Sequence, residues 1–219
     1  MWHPTLNSKT PFDFAPMSNT KVWWKCPNGP DHEWESAPSH LVMGTKCPFC
    51  SSPPKRISIT NCMATVRPDM VQYWHKELNG KLTPHDVFAG SSTKKYWWKC
   101  PIGDDHVWQT NPDAIGSALS SDFKGIGCPF CSGLKVSKTN RLSDNYPKIA
   151  NQWHPTLNGE RAPNEFTSGN DYKAWWKCDV AKDHIWQATI SSRTNGTGCP
   201  ACDGKQLSST NSLAILHPH

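Results

Sequence analysis

Residues 23–34 read WWKCPNGPDHEW, and the same pattern returns as WWKCPIGDDHVW at residues 97–108 and as WWKCDVAKDHIW at residues 175–186. Each copy follows a Trp-His segment that ends in Leu-Asn, and each precedes a Cys-Pro-x-Cys turn. With its Trp-His segment and its Cys-Pro-x-Cys turn, each copy holds four of the twelve tryptophans and three of the ten cysteines, so that only one cysteine falls outside the pattern. The chain is therefore built from three tandem copies of one module.

The composition agrees with several small domains rather than one large core. Hydrophobic residues make up 36% of the 219 residues, and the chain contains 19 prolines and 14 glycines. That is too little aliphatic material, and too many chain breakers, for a single large core. A domain of about 50 residues usually needs a metal or another covalent constraint to remain folded. We therefore expect the cysteines to stabilise each module.

Each module offers a Cys-x5-His pair followed by a Cys-x2-Cys pair. Two short-spaced pairs supply the opposite edges of a tetrahedron, which is the geometry of Zn²⁺. Four candidate ligands indicate a closed structural site, because a catalytic zinc keeps one position open for water or substrate. The sequence predicts one structural Zn²⁺ per module and three per chain, with these ligands: Cys26, His32, Cys47 and Cys50; Cys100, His106, Cys128 and Cys131; Cys178, His184, Cys199 and Cys202.

The remaining cysteine and several histidines are interpreted as non-ligands. His3, His75 and His154 follow the first tryptophan of each copy, and we expect them to pack or to form hydrogen bonds, since each ligand set is already complete. Cys62 is a linker thiol and His217 aligns with no histidine in the other copies, so neither is assigned to a metal.

The pattern of aromatic and β-branched residues predicts a β-hairpin in each module. In the second module the strands are expected at residues 94–100 and 106–110, with metal ligands at the hairpin tip. A shared segment between modules begins with a Thr-Asn pair, which we interpret as a helix cap before one or two helical turns. The predicted fold class is small zinc-stapled α+β repeats: three tandem modules, each a β-hairpin plus a CPxC knuckle, joined by short helical linkers.

These elements predict four segments along the chain. Residues 1–57 form zinc module one, residues 58–136 a linker helix and module two, residues 137–207 a linker helix and module three, and residues 208–219 the truncated start of a further linker. The chain is thus expected to begin and end out of phase with the repeat. Module two carries seven extra residues around Gly116 to Lys124, which we interpret as a loop insertion.

Alternation along a strand assigns the paired tryptophans to opposite faces. Trp98 shares a face with Cys100 and is expected to shield the zinc, whereas Trp97 shares the other face with Lys99. Trp97 either covers the linker and its Trp74 or forms an exposed aromatic and basic patch. Such patches bind nucleic acid through phosphate contacts and base stacking, and the predicted contacts are Lys25, Lys95, Trp97, Lys99 and Lys177.

The net charge of the zinc-loaded chain limits any binding of nucleic acid. The formal net charge is +5, but nine ligand thiolates and three Zn²⁺ ions reduce it to about +2, so any affinity for nucleic acid depends on local patches.

No run approaches the roughly 20 apolar residues of a membrane span, and the N-terminus lacks the regions of a signal peptide. We expect an intracellular, reducing compartment, the cytoplasm or nucleus, where thiolate ligands persist.

These motifs resemble the treble-clef or probable zinc-ribbon repeat family of large DNA viruses, bacteria and plants. The resemblance rests on the linker W-H-P-T-L-N-G, the hairpin W-W-K-C with H-x-W, and the closing G-x-G-C-P-x-C, and it covers nearly the whole chain. It implies a zinc-bearing recognition or scaffold role and the ligand sets given above. The family's arginine before the last motif is present as Arg193, a further candidate nucleic-acid contact, but Leu41 and Lys46 depart from the pattern in module one.

Two functions follow as hypotheses. The first is a nucleic-acid-binding protein that uses its aromatic and basic hairpins. The second is a structural protein of a large assembly, such as a minor capsid component of a large DNA virus, in which case it would be located in the virion and contact neighbouring structural proteins. Catalysis is not expected, because no nucleophile with a base and no nuclease-like carboxylate cluster is found. Neither hypothesis involves a membrane or a small-molecule substrate.

Overall fold

A computed structural model describes residues 1–120 and 127–217 of the chain. These residues form two compact units, one made of residues 1–99 and 109–120 and the other of residues 100–108 and 127–217. The first zinc module lies in the first unit. The third module lies in the second unit, as do all four predicted ligands of the second module. Each of the three ligand sets is therefore contained in one unit.

Each module contains one two-stranded hairpin. The strands are β1 (Val22–Lys25), β2 (Glu33–Ser36), β3 (Tyr96–Lys99), β4 (Val107–Thr110), β5 (Lys173–Lys177) and β6 (Ile185–Thr189). In the first and third hairpins the strands are antiparallel, and Trp24 faces Trp34 as Trp176 faces Trp186. The predicted hairpins are confirmed. They form because aromatic and β-branched side chains pack well on a pleated, half-buried surface.

The Trp-His segment pairs with the first strand of each hairpin through a single β-bridge. Trp153 forms an antiparallel bridge with Trp176, and the equivalent bridges join Trp2 to Trp24 and Trp74 to Trp98. The Asn that ends the segment also binds the hairpin backbone: Asn158 accepts from the N–H of Trp175 at 2.8 Å and donates to its carbonyl at 2.9 Å. This explains the spacing of the W-H-x-x-L-N motif, whose two ends contact the same strand.

The described residues contain eight short α-helices, of which six lie between strands and two follow the last strand. They are α1 (Pro38–Val42), α2 (Met63–Val66), α3 (Pro68–Val71), α4 (Pro112–Ser120), α5 (Leu142–Asn145), α6 (Pro147–Ala150), α7 (Ile190–Thr194) and α8 (Leu213–Leu216). The linkers are helical as predicted, and a proline divides each of the first two into two single turns because it cannot continue the preceding helix. Three 3-10 turns, Pro11–Asp13, Pro84–Asp86 and Pro163–Glu165, precede the first strand of each hairpin.

Two sequence predictions about helices are wrong. The Thr-Asn pairs do not cap the linker helices, whose N-cap residues are Cys62, Arg141 and Ser212, without a side-chain cap. The insertion in module two is helical up to Ser120, since α4 has nine residues where α1 and α7 have five. The rest of the insertion, residues 121–126, lies outside the described part.

Aromatic rings form the core of each module. In the third module Trp153 meets Trp176 edge to face, with centroids 5.3 Å apart, and Leu142, Phe166 and Ile190 complete the cluster. Each such pair contributes about 0.5–1.5 kcal/mol beyond the area it buries. In the second module the rings that pack on Trp74 are those of Tyr96 and Trp98, at 5.3 and 5.5 Å, so the alternative in which Trp97 covers Trp74 is wrong. Trp97 lies half-buried on the opposite face.

The described residues contain no helix that is both long enough and apolar enough to cross a membrane.

Candidate metal centres

The structure brings each predicted set of three cysteines and one histidine together. In every module the four ligand atoms lie within 4.8 Å of one another. The hairpin supplies the first cysteine at the end of its first strand and the histidine just before its second strand, and the Cys-Pro-x-Cys turn supplies the other two. The hairpin and the turn are thus held together at the ligand set.

The distances between ligand atoms fit a tetrahedral zinc ion. With Zn–S bonds of about 2.3 Å and a Zn–N bond of about 2.0 Å, two sulfurs lie about 3.8 Å apart and a sulfur and a nitrogen about 3.5 Å apart. The sulfurs of Cys100 and Cys131 are 3.8 Å apart, and the Nδ1 atom of His106 lies 3.6 Å from Cys128 and 3.5 Å from Cys131. The first and third sites have the same contacts at 3.4–3.9 Å. The chain therefore has three Cys3His zinc sites.

The second nitrogen of each zinc histidine is held by two hydroxyl groups. In the second site the Nε2 atom of His106 lies 3.0 Å from Ser137 Oγ and 2.8 Å from Thr139 Oγ1. The same pair is Ser58 and Thr60 in the first site, and Ser208 and Thr210 in the third. A hydrogen bond from Nε2–H fixes the ring orientation and leaves Nδ1 free to bind the metal.

An aspartate and an asparagine position these hydroxyls. Asp105, the residue before the histidine, accepts from the backbone N–H of Lys138 at 2.7 Å, which holds the pKa of its carboxyl below the usual value. Asn140 accepts from the N–H of Ser137 and donates to the carbonyl of Phe130. Asp31 with Asn61, and Asp183 with Asn211, bind the same way. The residues at 58–61, 137–140 and 208–211, which we call the Ser-x-Thr-Asn segments, are thus tied to the preceding zinc site.

The predicted module boundaries cross these contacts. The divisions after residues 57, 136 and 207 separate each Ser-x-Thr-Asn segment from the histidine that it contacts. Residues 208–211 in particular contact the third zinc site. Sequence reasoning missed these residues as functional, although their repetition after each Cys-Pro-x-Cys turn, eight residues on in the first module and six in the other two, was a signal that could have identified them.

In the absence of metal at least one thiol in each site holds its proton more strongly than a free cysteine does. Burial raises the pKa of the Cys47 thiol to about 11, and burial with hydrogen bonding to Cys128 raises the pKa of Cys131 to about 12. The pKa of the Cys202 thiol is raised to about 12, mainly by a hydrogen bond with Cys178. Zinc must displace these protons, so binding releases protons and strengthens as the pH rises.

Arg193 is not available for nucleic acid, contrary to the prediction. Its side chain is 7% exposed, and the guanidinium lies between the rings of Trp176 and Trp186, with centroid distances of 5.3 and 5.1 Å. It donates to the carbonyl of Thr197 and to Gln152 Oε1. Burial lowers its pKa, while the nearby thiolates of the third site act in the opposite direction. Its positive charge offsets the negative charge of a zinc ion bound by three thiolates.

The other predicted contacts lie on the hairpins. Lys95, Lys99 and Lys177 are exposed, and Trp97 is half-buried. Lys25 differs, because its Nζ forms an ion pair with Glu33 Oε1 at 2.8 Å. The structure therefore leaves four of the six predicted contacts with accessible and unneutralised side chains.

The histidines of the Trp-His segments form hydrogen bonds. The Nδ1 atoms of His3 and His154 accept from the backbone N–H groups of Leu6 and Leu157, at 3.1 and 3.2 Å. Cys62 is buried with its sulfur 3.6 Å from His85 Nδ1 and away from the three ligand sets. Leu78 N–H donates to His75 Nδ1 in the same way, at 3.4 Å, so the interpretation of His3, His75 and His154 as packing or hydrogen-bonding groups is confirmed.

The fold and the sites define a class: a tandem of small structural zinc modules, each with a hairpin and a cysteine turn on one Zn²⁺ ion. The chain belongs to the family described as the Probable Treble clef zinc finger domain, which matches three times, at residues 1–53, 70–134 and 149–205. The predicted family and fold class are confirmed. Each match ends before a Ser-x-Thr-Asn segment. No curated protein is significantly similar to the chain.

Proposed function

We propose that this protein is a non-catalytic zinc protein that binds single-stranded nucleic acid through the outer faces of its second and third hairpins. One observation carries the proposal: a lysine, a tryptophan and a lysine alternate along one face of the strand. The residues are Lys173, Trp175 and Lys177 in β5, and Lys95, Trp97 and Lys99 at β3. The lysines are exposed and the tryptophans half-buried. Lysine suits phosphate, and an accessible indole ring suits an unpaired base.

The charge of these two faces is not neutralised within the hairpin. In the third module Thr189, Gln187 and Ile185 face Lys173, Trp175 and Lys177. In the second module strand β4 reads Val-Trp-Gln-Thr and contains no acidic residue. Each face therefore keeps two positive charges beside one aromatic ring.

The first hairpin has the same alternation but a different charge. Glu35 faces Trp23, and Glu33 faces Lys25 and pairs with it. Hydrogen bonds from Lys25 and from His3 hold the pKa of Glu33 below its usual value, so this carboxylate stays ionised at neutral pH. We expect the first face to bind polyanions poorly, which makes it an internal control.

The absence of catalysis is part of the proposal. Three cysteines and a histidine fill the tetrahedron of each zinc and leave no position for substrate. The aspartate beside each zinc histidine is already bound to a backbone N–H. The proposal also involves no small-molecule substrate.

A structural role is the second candidate, and the packing between linkers and modules favours it. Leu142 of the linker is fully buried in the core of the third module with Trp153 and Phe166, so the linker is part of the module it precedes. A chain of such modules suits a structural component of a large assembly, such as a minor capsid protein.

The test is a salt titration of binding to a fluorescent single-stranded oligonucleotide. Replacing Lys95 and Lys99 together by Ala should flatten the slope of log K against log salt by about 0.7 for each phosphate that the protein then leaves unneutralised. The matched control replaces Lys21 and Lys25 by Ala, and we expect little change in binding. Zinc content should remain at three ions per chain in both variants.

A second variant, Trp97→Ala, tests stacking. Loss of a stacked ring should weaken binding by about 1–3 kcal/mol at constant zinc content. If the unaltered protein does not bind any oligonucleotide near physiological salt, the proposal is wrong and the structural role is favoured. In that case Trp97→Ala should lower only the melting temperature.

A further inference from the structure

The same contact between a linker helix and a module occurs twice in the chain. Met63, the first residue of α2, is fully buried, and its backbone N–H donates to the carbonyl of Val87 at 2.7 Å. Leu142, the first residue of α5, is also fully buried and donates to the carbonyl of Phe166 at 2.8 Å. Val87 and Phe166 directly follow equivalent 3-10 turns. We call this contact the joint.

A backbone bridge beside each buried residue fixes the register of the joint. Cys62 pairs with Phe88 in the first joint, and Arg141 pairs with Thr167 in the second. The joint thus has two halves: the start of a helix that follows a Ser-x-Thr-Asn segment, and the two residues that follow a 3-10 turn.

The helix half occurs a third time at α8. Leu213 follows Thr210-Asn211-Ser212 as Leu142 follows Thr139-Asn140-Arg141, so it is the counterpart of Met63 and Leu142. Its side chain is nevertheless 77% exposed, with Ile215 and Leu216 exposed beside it. Among the described residues, no carbonyl accepts from the N–H of Leu213.

The other half occurs a third time in the first module. Phe14 follows the turn Pro11–Asp13 and is the counterpart of Val87 and Phe166. Those two side chains are buried, whereas Phe14 is only half-buried. Trp24 is also half-buried, although its counterparts Trp98 and Trp176 are fully buried. The aromatic core of the first module is therefore open on the side that linker helices cover in the other two modules.

We propose that helix α8 of one copy docks on residues 11–15 of the first module of a second copy, so that the protein associates with itself head to tail. Leu213 would cover Phe14 and Trp24, its N–H would donate to the carbonyl of Phe14, and Ser212 would pair with Ala15. The occupant is a second copy because this chain presents both halves of a contact that it already makes twice internally. The proposal is independent of nucleic-acid binding.

The geometry of the joint predicts the form of the assembly. The two surfaces differ, so the contact is heterologous and generates either rings or open chains of copies. A helix of four residues covers much less than the roughly 1,200 Å² of a small stable interface. Association should therefore be weak and should increase with protein concentration.

Sedimentation equilibrium of the zinc-loaded protein tests the proposal. The average mass should rise above that of the monomer between micromolar and millimolar concentration, and Leu213→Asp should abolish the rise. The matched control is Ile215→Asp on the same helix, whose counterparts Thr65 and Asp144 are exposed polar residues; it should leave the rise unchanged. A monomeric mass at every concentration, or equal effects of the two variants, would overturn the proposal. Both side chains are exposed, so both variants should fold.

A disulfide between copies tests the direction. Antiparallel bridge partners have Cα atoms about 4.5–5.5 Å apart, within the range that a disulfide spans. A mixture of Ser212→Cys and Ala15→Cys chains, zinc-loaded and mildly oxidised, should give a covalent heterodimer. Cross-linking of either variant alone to the same extent would indicate a symmetric contact and contradict the head-to-tail arrangement.

Discussion

The second and third zinc sites use the same ligand set in different surroundings. In the second site His106 stacks on Phe130 with centroids 5.0 Å apart, and a Cβ on Gly103 would lie 2.6 Å from the imidazole. In the third site Ala181 stands where Gly103 does, and Ala201 replaces the phenylalanine. The histidine turn is nevertheless closed by the same backbone hydrogen bond, at 3.1 Å in the second site and 3.2 Å in the third.

The comparison distinguishes the contacts that hold the zinc ligands from the side chains that pack around the zinc histidine. Both sites keep the four ligands, the two hydroxyls on Nε2 and the aspartate that binds the Ser-x-Thr-Asn segment. The two residues packed against the imidazole both differ between the sites. The third site has an additional methyl group at Ala181, in place of Gly103, and no aromatic ring at Ala201, in place of Phe130. We infer that zinc geometry depends on the shared contacts, whereas the packing is interchangeable as a set.

A second contrast concerns charge. Arg193 lies at the position that Ile115 occupies in the second module and Leu41 in the first. A zinc ion with three thiolates has a net charge of −1, and among the residues that the structure describes only the third module places a buried arginine or lysine near its thiolates. The rings of Trp176 and Trp186 on either side of the guanidinium compensate part of its desolvation.

The largest effect is expected from a substitution that removes a ligand from one zinc site and leaves the other site intact. Cys128→Ser removes a thiolate, and because structural zinc contributes roughly 10–16 kcal/mol of apparent binding free energy, the second site should lose its ion and its local fold. Native mass spectrometry should then find two zinc ions per chain. Cys199→Ser should give the same count with the loss confined to the third module. A count of zero or one would mean that the sites bind zinc cooperatively.

The next effect tests the contact that the two sites share. Thr139→Val with Ser137→Ala removes both hydroxyls from His106 Nε2, and loss of such a partner weakens metal binding by about 10–100-fold. Titration with a competing chelator should remove zinc from the second site first. The equivalent pair, Thr210→Val with Ser208→Ala, should weaken the third site equally. Unequal effects would show that the surrounding packing also orients the histidine.

The last substitution tests the contact in which the two sites differ. Gly103→Ala places a methyl group against His106 while Phe130 still stacks on the ring, so we expect a destabilisation of about 1–3 kcal/mol from overpacking. The reverse change, Ala181→Gly, relieves no contact and should alter stability only slightly. The thermal unfolding of the zinc-loaded variants measures both. An unchanged melting temperature for Gly103→Ala would show that the second site accommodates the methyl group as the third does.

Sequence spacing predicted the ligand sets because zinc coordination imposes short, local separations that recur in each copy. Cys100 and His106, or Cys128 and Cys131, lie close together in any hairpin or turn of that length. The strands were predictable for a similar reason, since the alternation of Trp97, Trp98 and Lys99 describes a pleated strand without reference to its neighbours.

The partners of polar side chains could not be predicted in the same way. Thr139 and Asn140 resemble a helix cap in sequence, and capping is the common role of such residues before an apolar stretch. Their observed partners, His106 and the carbonyl of Phe130, are distant in sequence. Arg193 is a comparable case, because a basic residue is expected at the surface until its two tryptophan neighbours are known.

The sequence by itself determined the three-fold repeat, the metal and the residues that bind it, because these depend on residue type and on short spacing. Only the tertiary structure decided which residues orient the zinc histidines, that Trp98 and Trp176 are fully buried while Trp24 is half-buried, and that Arg193 lies inside. These outcomes depend on contacts between segments far apart in the chain. Such contacts are selected by the competition between burial and hydrogen bonding in the assembled module, which local sequence does not encode.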